Sequence, residues 1–493
     1  MTRECGSGSD RCKGRRGMDR RDFLQVLGGG ALVGLTGFAR ASSGKAASIT
    51  AARQCGPAAN YTPTIKATFV RRKEDYGMWW PGAVYDGEAA RKKYTRQLKE
   101  TAADLGAELD LRSKPIYSMK EADAWAKEAE SQSPDGLMVV TLDRQQHSWP
   151  TVRRAAKTDI PLVVFSPIGT SFTTNTGPLA DETGCVIYSA EEFDEAIYGM
   201  HMLDAGARMR QTRCVVLKGN KRAERELGDL GVNLQYVPVN TYVKEFRRAE
   251  SEGEAEALAS KFASQAREVH ELTDKNLVDA ARAYIASRRI IEREEADCIT
   301  MDCLGMGKQH RDICLPCLAW SRFNDQGVPA ACEADMGAMA SHILVQYLFE
   351  RPGFQQDPVA DTMHDAVIGA HCSCPTRLNG FDKQSEPFGL MHHHAKRDVT
   401  ARPLWKKGQR VTSVDVYPGN SKRKTRMEIA TGTVLSNLRV PPNGGCVVSV
   451  RVEFDSDTDV RAFPGFHQLW FYGDYGQKLE EFCQLYDFEA EWV

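Results

Sequence analysis

"DGLMVVTLD", residues 135–143, is an apolar run closed by an aspartate at each end, and its neighbours decide how it folds. "IKATFV" (65–70), "AELDLRS" (107–113) and "PLVVFSP" (161–167) are runs of the same kind, with helical patterns at 89–106 and 120–132 between them. Strand, helix, strand in that order reads as βαβ units and a mostly parallel sheet. A second series begins with "CVIYS" (185–189) and continues with a helix at 191–209, "RCVVLKG" (213–219), "LQYVPVN" (234–240) and "ADCITMDC" (296–303). A stretch rich in Gly, Thr, Asn and Pro at 170–183 is the expected boundary between the two series.

From about His364 the texture changes. "RVTSVDVYPG", "RMEIATGTVLSN" and "CVVSVRVEF" alternate apolar and polar residues between Gly, Pro and Asn breaks, as antiparallel strands do. The expectation is therefore α/β: two doubly wound, Rossmann-like parallel-sheet domains at 62–175 and 176–355, then an antiparallel β-barrel-like domain at 356–493. A linker at 42–61 precedes them. The chain has 493 residues, a net charge of −2, 42% hydrophobic and 26% charged residues. That composition is ordinary for a soluble globular protein and gives no electrostatic reason to expect nucleic acid.

Residues 1–41 read as a leader. Arg20 and Arg21 precede a Gly-rich apolar run at 23–39, and Ala39, Arg40 and Ala41 supply a small-residue cleavage motif before Ser42. This is the pattern of a twin-arginine export signal, implying a periplasmic or otherwise extracytoplasmic protein with no membrane attachment after cleavage. An uncleaved anchor is the alternative, although 17 residues containing several Gly are short for a span. Of the fourteen cysteines, seven fall between Cys298 and Cys374. Many sit in apolar runs where a buried free thiol is the ordinary reading, and their spacing does not decide between thiol and disulfide.

Four segments carry groups with chemistry. "CEADMGAMASH" (332–342) sets Glu333 and Asp335 one residue apart ahead of a helix, where acids cap backbone N–H groups, yet small apolar neighbours would bury at least one of them. His467 opens the apolar run of "GFHQLWFYGD", His371 ends that of "DAVIGAHCSCP", and His392, His393 and His394 form an internal triple. For each, a structural role is the competing reading. Trp79 and Trp80, just after the first strand, and Trp320 offer aromatic faces for a sugar or simply packing.

Taken in order, "LVDAARAYIASRRIIEREEADCITMDC", "CLPCLAWSRFNDQGVPAACEADMGAMASHIL", "GAHCSCP" and "FHQLWFYGDYGQKLEEFCQLYDFEA" resemble the L-fucose isomerase and L-arabinose isomerase-like superfamily from about Ile65 to the C-terminus. The resemblance implies a divalent cation, most often Mn(II), held by Glu333, Asp335 and His467, with His371 and His393 as further ligands or substrate contacts and Trp320 and Trp80 as platforms. It implies a second, separated acidic ligand as well, for which "DICLPCLAW" offers only Asp312. It further implies aldose–ketose interconversion of a monosaccharide through an enediolate, with Glu333 and Asp335 sharing the tasks of ligand and base, and a homo-oligomer, trimer or hexamer. A hard cation chelating two sugar oxygens would polarise the carbonyl and acidify the neighbouring C–H. Both acids reach one cation only from an irregular turn at a strand's C-terminal end. Two other readings stand beside this one. The first is a non-catalytic exported carbohydrate-binding protein on the same scaffold. The second is a structural metal site built from Cys314, Cys317, Cys372 and Cys374.

Overall fold

The computed structural model describes residues 50–74, 86–144, 147–249, 253–393, 397–438 and 447–493; the leader, Trp79 and Trp80 lie outside them. The apolar runs of the first half become β1 (Thr64–Val70), β2 (Glu108–Leu111), β3 (Gly136–Thr141), β4 (Leu162–Pro167) and β5 (Cys185–Ala190), all parallel in the order β2-β1-β3-β4-β5. Every residue of β3 and β4 is buried, as expected where helices cover both faces of a parallel sheet. The Gly87–Leu105 helix starts at Asp86, whose carboxylate accepts the Glu88 and Ala89 N–H groups, and stops at Gly106 in the left-handed region.

One expectation needs correcting here. "CVIYS" does not start the second series; as β5 it pairs with β4 and closes the first sheet. The 170–183 stretch is a tight connection with a Thr173–Thr176 helical turn and a Gly177–Leu179 3₁₀ turn, so the change of sheet comes after β5, across the Asp194–Gln211 helix.

The second sheet contains β6 (Arg213–Leu217), β7 (Ala223–Leu227), β8 (Val232–Val237), β10 (Cys298–Met301) and β11 (Ala330–Ala331), in the order β11-β10-β6-β8-β7. Its β7 edge is antiparallel and the other pairings are parallel. The short β9 (Glu268–Val269) lies outside this sheet.

Beyond β11 come β12 (Phe354–Asp361), β13 (Ala366–His371), β14 (Phe388–His393), β15 (Arg397–Pro403), β16 (Arg410–Tyr417), β17 (Arg426–Asn437), β18 (Val448–Phe454), β19 (Gln468–Tyr472) and β20 (Glu489–Trp492). Six of them, β16-β19-β12-β13-β18-β17, pair antiparallel around a closed barrel because β17 also pairs with β16; β20 adds to β17 in parallel. The alternation seen in sequence is the inside and outside of this barrel. Phe354, Val367, Val411, Val434, Val450, Val452 and Trp470 fill it. At Gly369 a Cβ would stand 2.6 Å from the Trp470 ring, so this strand passes the indole only as glycine. β14 and β15 form a separate hairpin that β9 extends in parallel.

Two features seat the barrel against the second sheet. The Met336–Phe349 helix is buried on nearly every side, with Ile343, Leu344 and Val345 in a core shared with Val414, Val416, Leu469 and Phe471 on the barrel wall. The buried Asp325 carboxylate accepts the Thr376 N–H at 2.6 Å, the Arg377 N–H at 2.7 Å and the Thr376 hydroxyl at 2.7 Å, and pairs with the buried Arg322 at 3.2 Å. This holds the chain leaving β13 against the Cys317–Asp325 helix. Asp325→Ala removes all four contacts and leaves a buried guanidinium uncompensated, so it should cost about 3–5 kcal/mol. A urea midpoint unchanged from that of the parent chain would refute the tether.

Candidate metal centre

The second sheet ends at Ala331 and the apolar helix starts at Met336; the four residues between them form an irregular turn. Glu333 and Ala334 both have positive φ, +64° and +51°. Neither is glycine, and such residues cost of order 1 kcal/mol or more each, a strain that gathers at functional sites. The turn lies at the C-terminal end of a parallel strand, where open α/β sheets place their ligands. Asp335 is the helix N-cap: its Oδ1 accepts the Ala338 N–H at 2.9 Å. Its other oxygen, Oδ2, accepts from His467 Nδ1 at 3.0 Å. Cap and site are therefore one residue.

The barrel brings the remaining groups by register. Gln356 of β12 pairs with Gln468 of β19, so the next step along both strands sets Asp357 opposite His467. With Nδ1 committed to Asp335, His467 turns Nε2 toward Asp357 Oδ1 at 3.2 Å and Glu333 Oε2 at 3.7 Å. The other Glu333 oxygen is 3.8 Å from His371 Nε2, at the end of β13, and the two imidazoles stand edge to face with centroids 5.5 Å apart. Glu333, His371 and His467 each offer a donor atom within 4.8 Å of the others. Gln355, two residues before Asp357, fixes the turn by accepting the Cys332 N–H at 2.8 Å.

Three carboxylates thus crowd two imidazoles in a largely buried place. Burial pulls His467 down, but the Asp335 and Asp357 carboxylates outweigh it and hold its proton up to about 9. Burial likewise opposes charge on His371, and Cys332 with Glu333 reverses that, raising it well above the usual imidazole range. Asp335 is pushed up by burial, yet His467 and the Ala338 N–H bring it below its usual value. His467 Nε2 and Asp357 Oδ1 are buried and face each other at 3.2 Å as an ion pair. Three carboxylates converging on two imidazoles, an excess of negative charge, fit a divalent cation in place of the imidazole protons. Oxygen with imidazole is a donor set for a hard or borderline ion.

The residues singled out from sequence part into groups. Glu333, His371 and His467 come together, and Asp335 stands behind His467 rather than at the open face of the group. A histidine oriented by a carboxylate on its far nitrogen is the usual support of a metal ligand. His393 is not there; it ends β14 beside Cys317 and Cys372. Trp320 is fully buried against Phe323 and offers no face to a sugar, while Trp80 lies outside the described residues. Asp312 is exposed and paired with Arg247 at 3.1 Å. Sequence reasoning missed Asp357, whose Oδ1 lies 3.2 Å from His467 Nε2; the one hint was a polar "QQD" at the mouth of a strand. The cysteine set also changes. Cys314 and Cys374 donate to the carbonyls of Leu315 and Pro375, while Cys317 and Cys372 join His393, and Cys332 and Cys372 join His371. No family model matches this sequence, and no curated protein matches it significantly.

Asp415 of β16 flanks the site, and its carboxyl is raised to about 6 by burial, with Glu428 and Asp335 adding to the effect. The folded value lies above the ordinary one, so the folded chain holds this proton more tightly. Stability from it is present below about pH 4 and is lost as pH rises through 6. Asp415→Asn in chelator-treated protein should raise stability by up to about 3 kcal/mol at pH 8 and by almost nothing at pH 4. Urea midpoints that shift equally at the two pH values would contradict the assignment.

Proposed function

We propose that the protein is a divalent-metal-dependent sugar isomerase that interconverts an aldose and a ketose of the fucose or arabinose type through an enediolate. The observation that carries this reading is the convergence of Glu333, Asp357, His371 and His467, with the buried His467 Nε2 and Asp357 Oδ1 facing each other at 3.2 Å. Mn(II) is the ion that the resemblance to the L-fucose isomerase-like group implies, and a mixture of carboxylate oxygen and imidazole is compatible with it. The likeness of the "CEAD" and "FHQLW" segments to the L-fucose isomerase-like group supports the same reaction, and we read both α/β layers as its doubly wound, Rossmann-like domains.

When bound, the cation supplies polarisation of the substrate carbonyl, which acidifies the adjacent C–H. The rest falls to side chains. Glu333 and Asp357 are partly exposed, whereas both imidazoles are nearly fully buried, so the carboxylates are the groups that meet a substrate. A carboxylate there takes the proton from one carbon and returns it to the next, and general base catalysis of this kind contributes about 10²–10⁴-fold. Asp335 keeps His467 in the tautomer that leaves Nε2 free. Phe466, exposed and tilted 43° to the His467 ring with centroids 4.4 Å apart, gives the rim an apolar face suited to a sugar's C–H surface. Export by the twin-arginine route and assembly as a trimer or hexamer are further parts of this proposal.

Protein loaded with Mn²⁺ and stripped of excess ion should contain about one ion per chain and convert a panel of aldoses to ketoses, with activity abolished by chelator. Asp357→Asn and His467→Gln should lose the ion, whereas Asp335→Asn should weaken binding only about 10–100-fold. Unchanged manganese content in both Asp357→Asn and His467→Gln would overturn the proposal.

A further inference from the structure

Beside the carboxylate group lies a second, chemically different cluster. Cys317, Cys372 and His393 each offer a donor atom within 4.8 Å of the other two, and Cys332, His371 and Cys372 satisfy the same limit. All five residues are buried, and the described cysteines are free thiols. We propose that Cys317, Cys372 and His393 form a three-ligand binding site for Zn²⁺ that is separate from the carboxylate centre.

Three independent elements supply the triad: the first turn of the Cys317–Asp325 helix, the residue that follows β13, and the last residue of β14. The Thr400 hydroxyl donates to the Cys372 carbonyl, which fixes that residue against the β14–β15 hairpin. Thiolate with imidazole is a donor set for tetrahedral zinc, whose ligand atoms sit roughly 3.7 Å apart, so small side-chain adjustments close the triad around the ion. Two thiolates and one neutral imidazole also balance the charge of Zn²⁺, which lets the complex sit among apolar side chains without a large desolvation penalty. His371 separates the two centres: its Nδ1 is 3.5 Å from Cys372 Sγ and its Nε2 is 3.8 Å from Glu333. His371 and Cys372 are chain neighbours that serve opposite sides of this boundary. Zinc therefore pins the Cys317–Asp325 helix, the end of β13 and the hairpin at one point.

The test uses the full chain purified under reducing conditions. Elemental analysis should find about one zinc per chain, retained in Asp357→Asn and lost at least tenfold in Cys317→Ser and Cys372→Ser. Replacement by Co²⁺ should give sulfur-to-cobalt charge-transfer absorption and the strong visible bands of a tetrahedral thiolate complex in the parent chain, so the result does not depend on any variant folding. No charge-transfer band in the reduced parent chain, bands that survive in the Cys317→Ser/Cys372→Ser double variant, or a Cys317–Cys372 disulfide in peptides from protein alkylated at harvest would each overturn the proposal. Because Asp357→Asn removes only a group of the carboxylate centre, failure of the isomerase reading leaves the zinc result standing, and the reverse.

Discussion

The Asp335 carboxylate couples the two halves of the site. One oxygen satisfies an N–H group that the Met336–Phe349 helix leaves unbonded at its start, and the other accepts a hydrogen bond from His467 Nδ1, at the mouth of a barrel strand. Capping is worth about 1 kcal/mol, and a charge-assisted bond adds about 1.5–3. Their larger effect is geometric. A helix packed on the barrel wall and a histidine at the barrel's edge are held at one fixed separation, and the Glu333–Ala334 turn has no room to relax.

Barrel closure provides the second constraint. Each closed pairing fixes the register of the next, so Asp357 and His371 meet His467, which lies 110 and 96 positions further along the chain. A slip of one residue in β12 would turn Asp357 inward and bring Gln356 to the histidine. The Gln356 amide, which donates to Gln468 Oε1 at 3.0 Å, and the Trp470 indole, which donates to the same oxygen at 3.1 Å, lock that pairing inside the barrel. Buried polar groups bonded in this way favour one register over its neighbours.

The molecule concentrates unfavourable features in one place. Consecutive left-handed residues, three neighbouring carboxylates, a buried Asp415 and a run of thiols all lie within or beside the same turn. Everything around them is conventional: capped helices, apolar parallel strands and a filled barrel. Local rules that fail together at one point mark a site held for its chemistry. Two donor chemistries, oxygen with imidazole and sulfur with imidazole, share His371 as their boundary, so one imidazole faces both.

By itself the sequence determined what depends on neighbours along the chain. Apolar runs between helical patterns gave the parallel strands, alternation gave β16, β17 and β18 close to their observed limits, and Glu333, Asp335, His371 and His467 stood out from their surroundings. Tertiary structure decided what depends on pairing. Only hydrogen bonding to β4 assigns β5 to the first sheet, since its composition suits either. Only the β12–β19 register identifies Asp357, an unremarkable acid at a strand mouth, and only the location of β14 separates His393 from the other histidines and joins it to thiols. The division of work between Glu333 and Asp335 was beyond the sequence for the same reason. Two residues one apart look equivalent along a chain, and a strained turn sends one between His371 and His467 and the other to the back of His467.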